Sequence, residues 1–176
     1  MLAAAALAVA GLAACGSTAG HAAKTTTSGR TTAASRLLTQ GIAQADAKHW
    51  SQAITTFENV LVLSPGNLYA LYNLGLIDQV RHDPRGAITR YNEALKTDNT
   101  YTPAMYNEAL ILEPKQPSAA LALYQKIVAI NPRASTAYLH MAMVYSRSGA
   151  RSLAAQARAK AISLDPSLAK YPLPKR

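Results

Sequence analysis

From about residue 34 the chain repeats itself every 34 residues, and a period of that length restricts it to architectures that stack one supersecondary unit on the next. Gly41, Ala53, Phe57, Val60 and Pro65 are spaced as Gly75, Ala87, Tyr91, Ala94 and Asn99 are, and again as Ala142, Ala154, Arg158, Ala161 and Pro166. Ala109, Ala120, Tyr124, Ile127 and Pro132 complete the series once one residue is removed from the turn around Pro114–Pro117. The copies are therefore 34–67, 68–101, 102–134 and 135–168.

Each copy reads as two amphipathic helices joined by a polar turn. In the second, residues 69–80 place Leu71, Leu74 and Leu76 at helical spacing, residues 81–86 interrupt, and residues 87–97 carry Ile88, Tyr91, Ala94 and Leu95. Although 49% of the chain is hydrophobic, it has one phenylalanine and one tryptophan. Apolar side chains of such small volume disfavour a large β-sandwich or barrel core and favour close helix packing, which alanine also supports by propensity. Gly41, Gly75, Ala109 and Ala142 stand where the first helix of a pair must touch the second, and larger side chains would force the pair apart. Pro65, Pro132 and Pro166 end second helices, because proline lacks an N–H and pushes the residue before it out of α geometry.

These spaced positions resemble the tetratricopeptide repeat, a helix–turn–helix unit of 34 residues. The resemblance covers residues 34–168; its departures are Asn99 for the terminal proline, Arg158 for the aromatic of the second helix, and the shortened third copy. It implies an all-α, right-handed α-solenoid of four repeats, with first helices lining a concave face and second helices the convex one. End repeats expose an apolar face unless capped. Only a basic tail, 169–176, remains after the last copy, and with Pro172 and Pro174 it is too short for a capping helix. The second helix of that copy is therefore expected to cap itself, or the end to pair with another copy as a homo-oligomer.

Ahead of the repeats, residues 2–14 are small or apolar and end at the only cysteine, Cys15. The run is too short to span a bilayer as a helix, which takes about 20 residues, and fits the apolar region of an export signal. Leu12-Ala13-Ala14-Cys15 resembles the bacterial lipoprotein box, which implies a signal peptide at 1–14 and a lipidated Cys15. No Lys or Arg precedes Cys15, so a start further upstream would restore the basic end of a signal. Gly16 rather than Asp follows, and by analogy with lipoprotein sorting that is no inner-membrane retention signal. Residues 15–33 then run through Gly, Ser, Thr and Ala without a large apolar side chain, a composition expected to stay a disordered linker. Multiple acyl chains on Cys15 would hold such a tether to a membrane.

The sequence offers little chemistry. Its four histidines have no metal-ligand spacing, no nucleotide-binding loop is present, and no serine lies in a nucleophile-elbow context. Glu108 and Glu113 are five apart and do not share a helical face. No catalytic residue, metal or cofactor is expected. The first helices instead carry a row of aromatic and amide groups. At positions that face the groove in the resembled family stand Tyr69, Tyr72, Asn73 and Leu76; Tyr106, Asn107 and Leu110; and His140 and Met143. The resemblance implies that an asparagine at the sixth position of a copy grips a ligand backbone, a task an amide suits because it both donates and accepts. Tyr-Asn pairs also fit as plain packing consensus. The charged clamp of chaperone-binding members is absent, since Leu38, Ile42, Pro103 and Asn107 occupy its positions.

Net charge is +9, and six of those charges fall after residue 146. Arg147, Arg151, Arg158 and Lys160 are expected to form a basic, solvated end to the stack, with anionic lipid headgroups or envelope polymers as a sharper possibility. Nucleic acid is not expected, because no aromatics are interleaved with these cations. The combined expectation is a non-enzymatic interaction scaffold, exported and lipid-anchored on the extracytoplasmic face of a bacterial membrane, that takes a protein or peptide partner in its groove. A self-associating component of an envelope assembly is the alternative.

Overall fold

The computed structural model describes residues 19–174. Among them lie eight α-helices, α1 (Ala19–Asp46), α2 (Trp50–Leu63), α3 (Leu68–Val80), α4 (Pro84–Thr97), α5 (Thr102–Leu112), α6 (Pro117–Ile130), α7 (Ser135–Arg147) and α8 (Arg151–Leu164), followed by a 3₁₀ helix at Pro166–Lys170. Sequential pairs pack as α1 on α2, α3 on α4, α5 on α6 and α7 on α8, and each pair packs on the next. The leader 1–14, Cys15 and residues 175 and 176 lie outside the described residues.

One aromatic ring sits inside each of the first three pairs. Phe57, Tyr91 and Tyr124 are fully buried. A Cβ added to Gly41 would lie 2.6 Å from Phe57 Cε1, and one added to Gly75 would lie 2.5 Å from Tyr91 Cε1. In these two pairs the ring of the second helix thus closes on the backbone of the first where a Cβ would clash; in the third, Ala109 stands at that place. In the fourth pair Arg158 stands at the ring position, and the apolar filling comes from the tail: Leu168 is buried with Leu139 and Ala161, and Leu173 packs toward Ala142 and Ala157.

The turns explain the odd length of the third copy. Lys48, His82 and Gly149 occupy the same place in the turns of copies one, two and four, and all three are left-handed, with φ of 60°, 60° and 80°. The one-residue deletion removes that position from the third turn, which closes instead through Gln116 N–H donating to Leu112 O at 2.7 Å. α4 begins at Pro84, three residues earlier than its apolar spacing predicts. Asp83 caps it by accepting from Gly86 N–H at 2.9 Å, and Pro84 takes the first helical position, where its missing N–H costs nothing.

Two sequence expectations are corrected. Residues 19–33, read as part of a flexible linker, belong to α1. That part of the sequence holds no large apolar side chain, and residues 29–33 are not buried whereas Ala34 is. Threonine and glycine outnumber alanine there, so propensity does not favour it; continuation from a helix already nucleated on α2 is what allows it, since elongation costs far less than a new nucleus. The C-terminal end is also only partly uncapped, because the tail covers one margin of α8. The tail folds back on α8: Arg158 donates to Ala169 O at 2.9 Å, Ser146 Oγ donates to Pro174 O at 2.9 Å, and Leu168 is buried. The prolines that forbid a capping α-helix are compatible with a 3₁₀ turn and an extended strap.

Candidate functional site

The groups expected on the first-helix face form two aromatic clusters. Tyr72 meets Tyr101 edge-on with centroids 5.3 Å apart, Tyr101 meets Tyr69 edge-on at 6.2 Å, and Tyr72 leans on Tyr91 at 5.9 Å. One repeat further on, Tyr106 meets Tyr124 at 6.0 Å and His140 at 5.6 Å, while His140 stacks on Tyr124 at 5.3 Å. Tyr101 was invisible as a site residue, because it ends one copy and its ring returns to the helix that began it.

The two asparagines do not act as a matched pair. Asn73 Nδ2 donates to Tyr69 O of its own helix at 2.8 Å, whereas Asn107 Nδ2 donates across the repeat boundary to Tyr72 Oη at 3.1 Å. Met143 turns toward the core at the C-terminal end, against Leu139, Ala161 and Leu168. Leu76 and Leu110 remain half-buried and line clefts.

Those clefts are equivalent by repeat position. One, of about 490 Å³, lies beside Asn73 and is lined by Ala45, Asp46, Trp50, Leu76, Ile77, Gln79 and Val80. The other, of about 450 Å³, lies beside His140 and is lined by Leu110, Glu113, Pro114, Pro117, Val144, Arg147 and Ser148. Both are bounded by the end of one first helix and its turn on one side and by the next first helix on the other. Their chemistry differs: an aspartate and an indole in the first, a carboxylate–histidine–arginine group in the second.

Glu113, which sequence reasoning set aside, organises the second cleft. It is 8% exposed and has three side-chain partners: Tyr124 Oη donates to Oε2 at 2.9 Å, His140 Nδ1 lies 2.8 Å from Oε2, and Arg147 Nη1 donates to Oε1 at 2.6 Å. Burial acts to raise its pKa, but these hydrogen bonds from His140, Tyr124 and Arg147 outweigh it and hold the carboxyl below the ordinary range. The Tyr124 hydroxyl is pushed up, first by burial and then by the adjacent carboxylate. Arg147, expected as a solvated cation of the basic end, is half exposed and is also the partner of this buried carboxylate. Ser148, the hydroxyl in this cleft, donates to Tyr145 O at 2.9 Å. The signal in the sequence was Glu113 standing one period after Gln79, whose Oε1 accepts from the buried Tyr91 hydroxyl as Glu113 accepts from Tyr124.

Glu108 points the other way. It is 8% exposed and faces the second-helix side, where Asn92 Nδ2 donates to Oε1 at 3.3 Å and Oε2 is buried with no partner. Desolvation raises its pKa against the smaller opposing effects of Asn92 and Lys126. Arg151 and Lys160 are exposed on α8, while Arg158 is half-buried beneath the tail. Among the described residues no group of three His, Cys, Asp or Glu side chains is placed to hold a metal ion, and no helix is long and apolar enough to cross a membrane.

No protein-family model and no curated protein matches the chain. Solved structures do. The crystal structure of MamA is similar over 86% of this chain and 89% of its own, at 24% identity and a TM-score of 0.71. A tetratricopeptide repeat protein from Parabacteroides merdae is similar over 77% of this chain and 54% of its own, at 19% identity and a TM-score of 0.70. YrrB, a TPR protein with an unusual peptide-binding site, is similar over 77% of this chain and 71% of its own, at 20% identity and a TM-score of 0.65. Together with the 34-residue period and the ring-on-glycine pairing of the helices, these likenesses establish that the chain has the tetratricopeptide-repeat fold.

Proposed function

We propose that this chain is a non-enzymatic interaction scaffold that holds a peptide segment of a protein partner along its first-helix face and is tethered to a bacterial membrane, on the extracytoplasmic side, through lipid on Cys15. The observation that carries the groove reading is the pair of equivalent clefts beside Asn73 and His140. Clefts at the same repeat position two copies apart can each take a side chain of one extended segment, and the tyrosines between them offer rigid contacts with apolar bodies and polar tips. YrrB, with the same fold and a peptide-binding site, is an analogy in its favour. Anchoring rests on the sequence Leu12-Ala13-Ala14-Cys15 at the end of an apolar run.

Two experiments test this. Photo-cross-linkers placed at Tyr72 and Leu110 in intact cells should trap one specific polypeptide, and Ala at both Asn73 and Asn107 should reduce the trapped amount while circular dichroism stays unchanged. Equal trapping by the double variant would move the site off this face. For the anchor, Cys15→Ala should release the chain from the membrane fraction and change its mobility; retention with unchanged mobility would remove the lipid from the proposal.

A further inference from the structure

The end of the stack holds a surface that the interior repeats do not leave open. α2, α4 and α6 each seat the first helix of the following pair, whereas among the described residues α8 is covered only at its margin, by the 3₁₀ helix and strap. What remains is a groove of about 630 Å³ whose floor is Ala155 and Ala159, whose apolar walls are Ile162 and Leu173, and whose cations are Arg151 and Arg158.

We infer that this groove seats one α-helix of a partner protein, in the place where the first helix of a further repeat would lie, and that this helix carries two carboxylates about two turns apart. The alanine floor permits close approach of a helix backbone, as small residues do wherever helices meet. Arg151 and Arg158 are seven residues apart on one face of α8, roughly 10 Å along its axis. No carboxylate lines the groove, and neither arginine makes an ion pair among the described residues. The bond Arg158 does make is to the neutral carbonyl of Ala169, so its charge is not cancelled. A groove with uncancelled guanidinium charge favours an acidic helix, because a bidentate carboxylate matches the planar fork. A second copy is the poorer occupant: none of α1 to α8 carries more than one carboxylate, so no helix of this chain offers the matching pair. The site is separate from the first-helix clefts.

The test uses the full chain and synthetic alanine–leucine helices of about eighteen residues, long enough to be helical, with glutamates at i and i+7, with lysines there, or with alanines. Fluorescence anisotropy should show the glutamate helix binding in a salt-dependent way, with the other two at least about tenfold weaker. Arg151 is exposed, and Arg151→Glu should weaken the glutamate helix by about tenfold and strengthen the lysine helix. The Ala variants at Asn73 and Asn107 should bind the glutamate helix as the parent does, which separates this site from the groove. Equal binding of glutamate and lysine helices, or unchanged affinity in Arg151→Glu, would overturn the inference. So would sedimentation showing a dimer that excludes the helix, or phosphatidylglycerol vesicles binding through Arg151 while the glutamate helix does not.

Discussion

Glu113 and Arg147, one full period apart at the ends of successive first helices, are joined by a 2.6 Å hydrogen bond from Arg147 Nη1 to Glu113 Oε1. The pair ties the third repeat to the fourth where the shortened turn leaves α5 with 11 residues against 13 in α3 and α7. Tyr124 and His140 complete the tie from α6 and α7.

Replacing Glu113 by Leu should therefore destabilise the chain by about 1–3 kcal/mol, chiefly because the fully buried Tyr124 hydroxyl loses its acceptor. The pH dependence has a definite sign. The folded carboxyl titrates below its ordinary value of 4.5, so its contribution is present above that value and is lost as pH falls through the folded pKa. In urea denaturation the gap between parent and variant should narrow as pH falls below about 4.5. A gap that stays constant would mean that the ionised carboxylate is not the stabilising species.

Glu108 should behave in the opposite way. Its folded carboxyl titrates above the ordinary range, so the folded state carries a penalty that is absent below pH 4.5 and grows as pH rises through the folded pKa. Glu108→Leu should raise stability at neutral pH by about 1–3 kcal/mol, since Oε2 has no partner to lose and Asn92 Nδ2 keeps its bond to Ile88 O. The gain should shrink toward pH 4. A destabilised variant at pH 7 would show that Oε2 is satisfied in solution.

Gly75→Ala is a test of the ring-on-backbone contact. An ordinary helix interior gains about 1 kcal/mol from this change. Here the new Cβ would meet a ring that is fully buried and hydrogen-bonded through its hydroxyl to Gln79, and overpacking of that kind costs about 1–3 kcal/mol or more. The expected net result is a lower Tm. A rise in Tm would mean that Tyr91 has room to withdraw.

Leu168→Ala should loosen the C-terminal cap. Truncating a buried leucine costs about 2–5 kcal/mol, and at the edge of the stack the low end applies. Limited proteolysis should then cut within residues 165–174 faster than in the parent, with hydrogen exchange in α8 rising and that in α3 unchanged. Equal cleavage would show that the strap adds nothing to the end of the stack.

Much of this was legible in the residues. The pairing of Gly41 with Phe57 and of Gly75 with Tyr91 is read directly from a small residue and a ring at constant spacing, because a local repeat forces both into register. Helix ends at Pro65, Pro132 and Pro166 follow from proline alone. The row of site residues was legible as a row but not in its roles. Asn73 and Asn107 both follow a tyrosine, yet one amide bonds its own helix and the other bonds Tyr72, since only the second has a tyrosine hydroxyl waiting across the boundary.

Period, residue size and the positions of proline and glycine determined, from the sequence by itself, that helices would pair and that pairs would stack. These are short-range matters of backbone geometry and volume, repeated until they define a fold. The tertiary structure alone decided that Arg147 would reach a buried carboxylate from the surface, that Glu108 and Glu113 would face opposite sides with opposite pKa shifts, and that the tail would cover the margin of the last repeat. Each depends on groups from different helices meeting at hydrogen-bonding distance, and no spacing along one helix encodes which neighbour arrives.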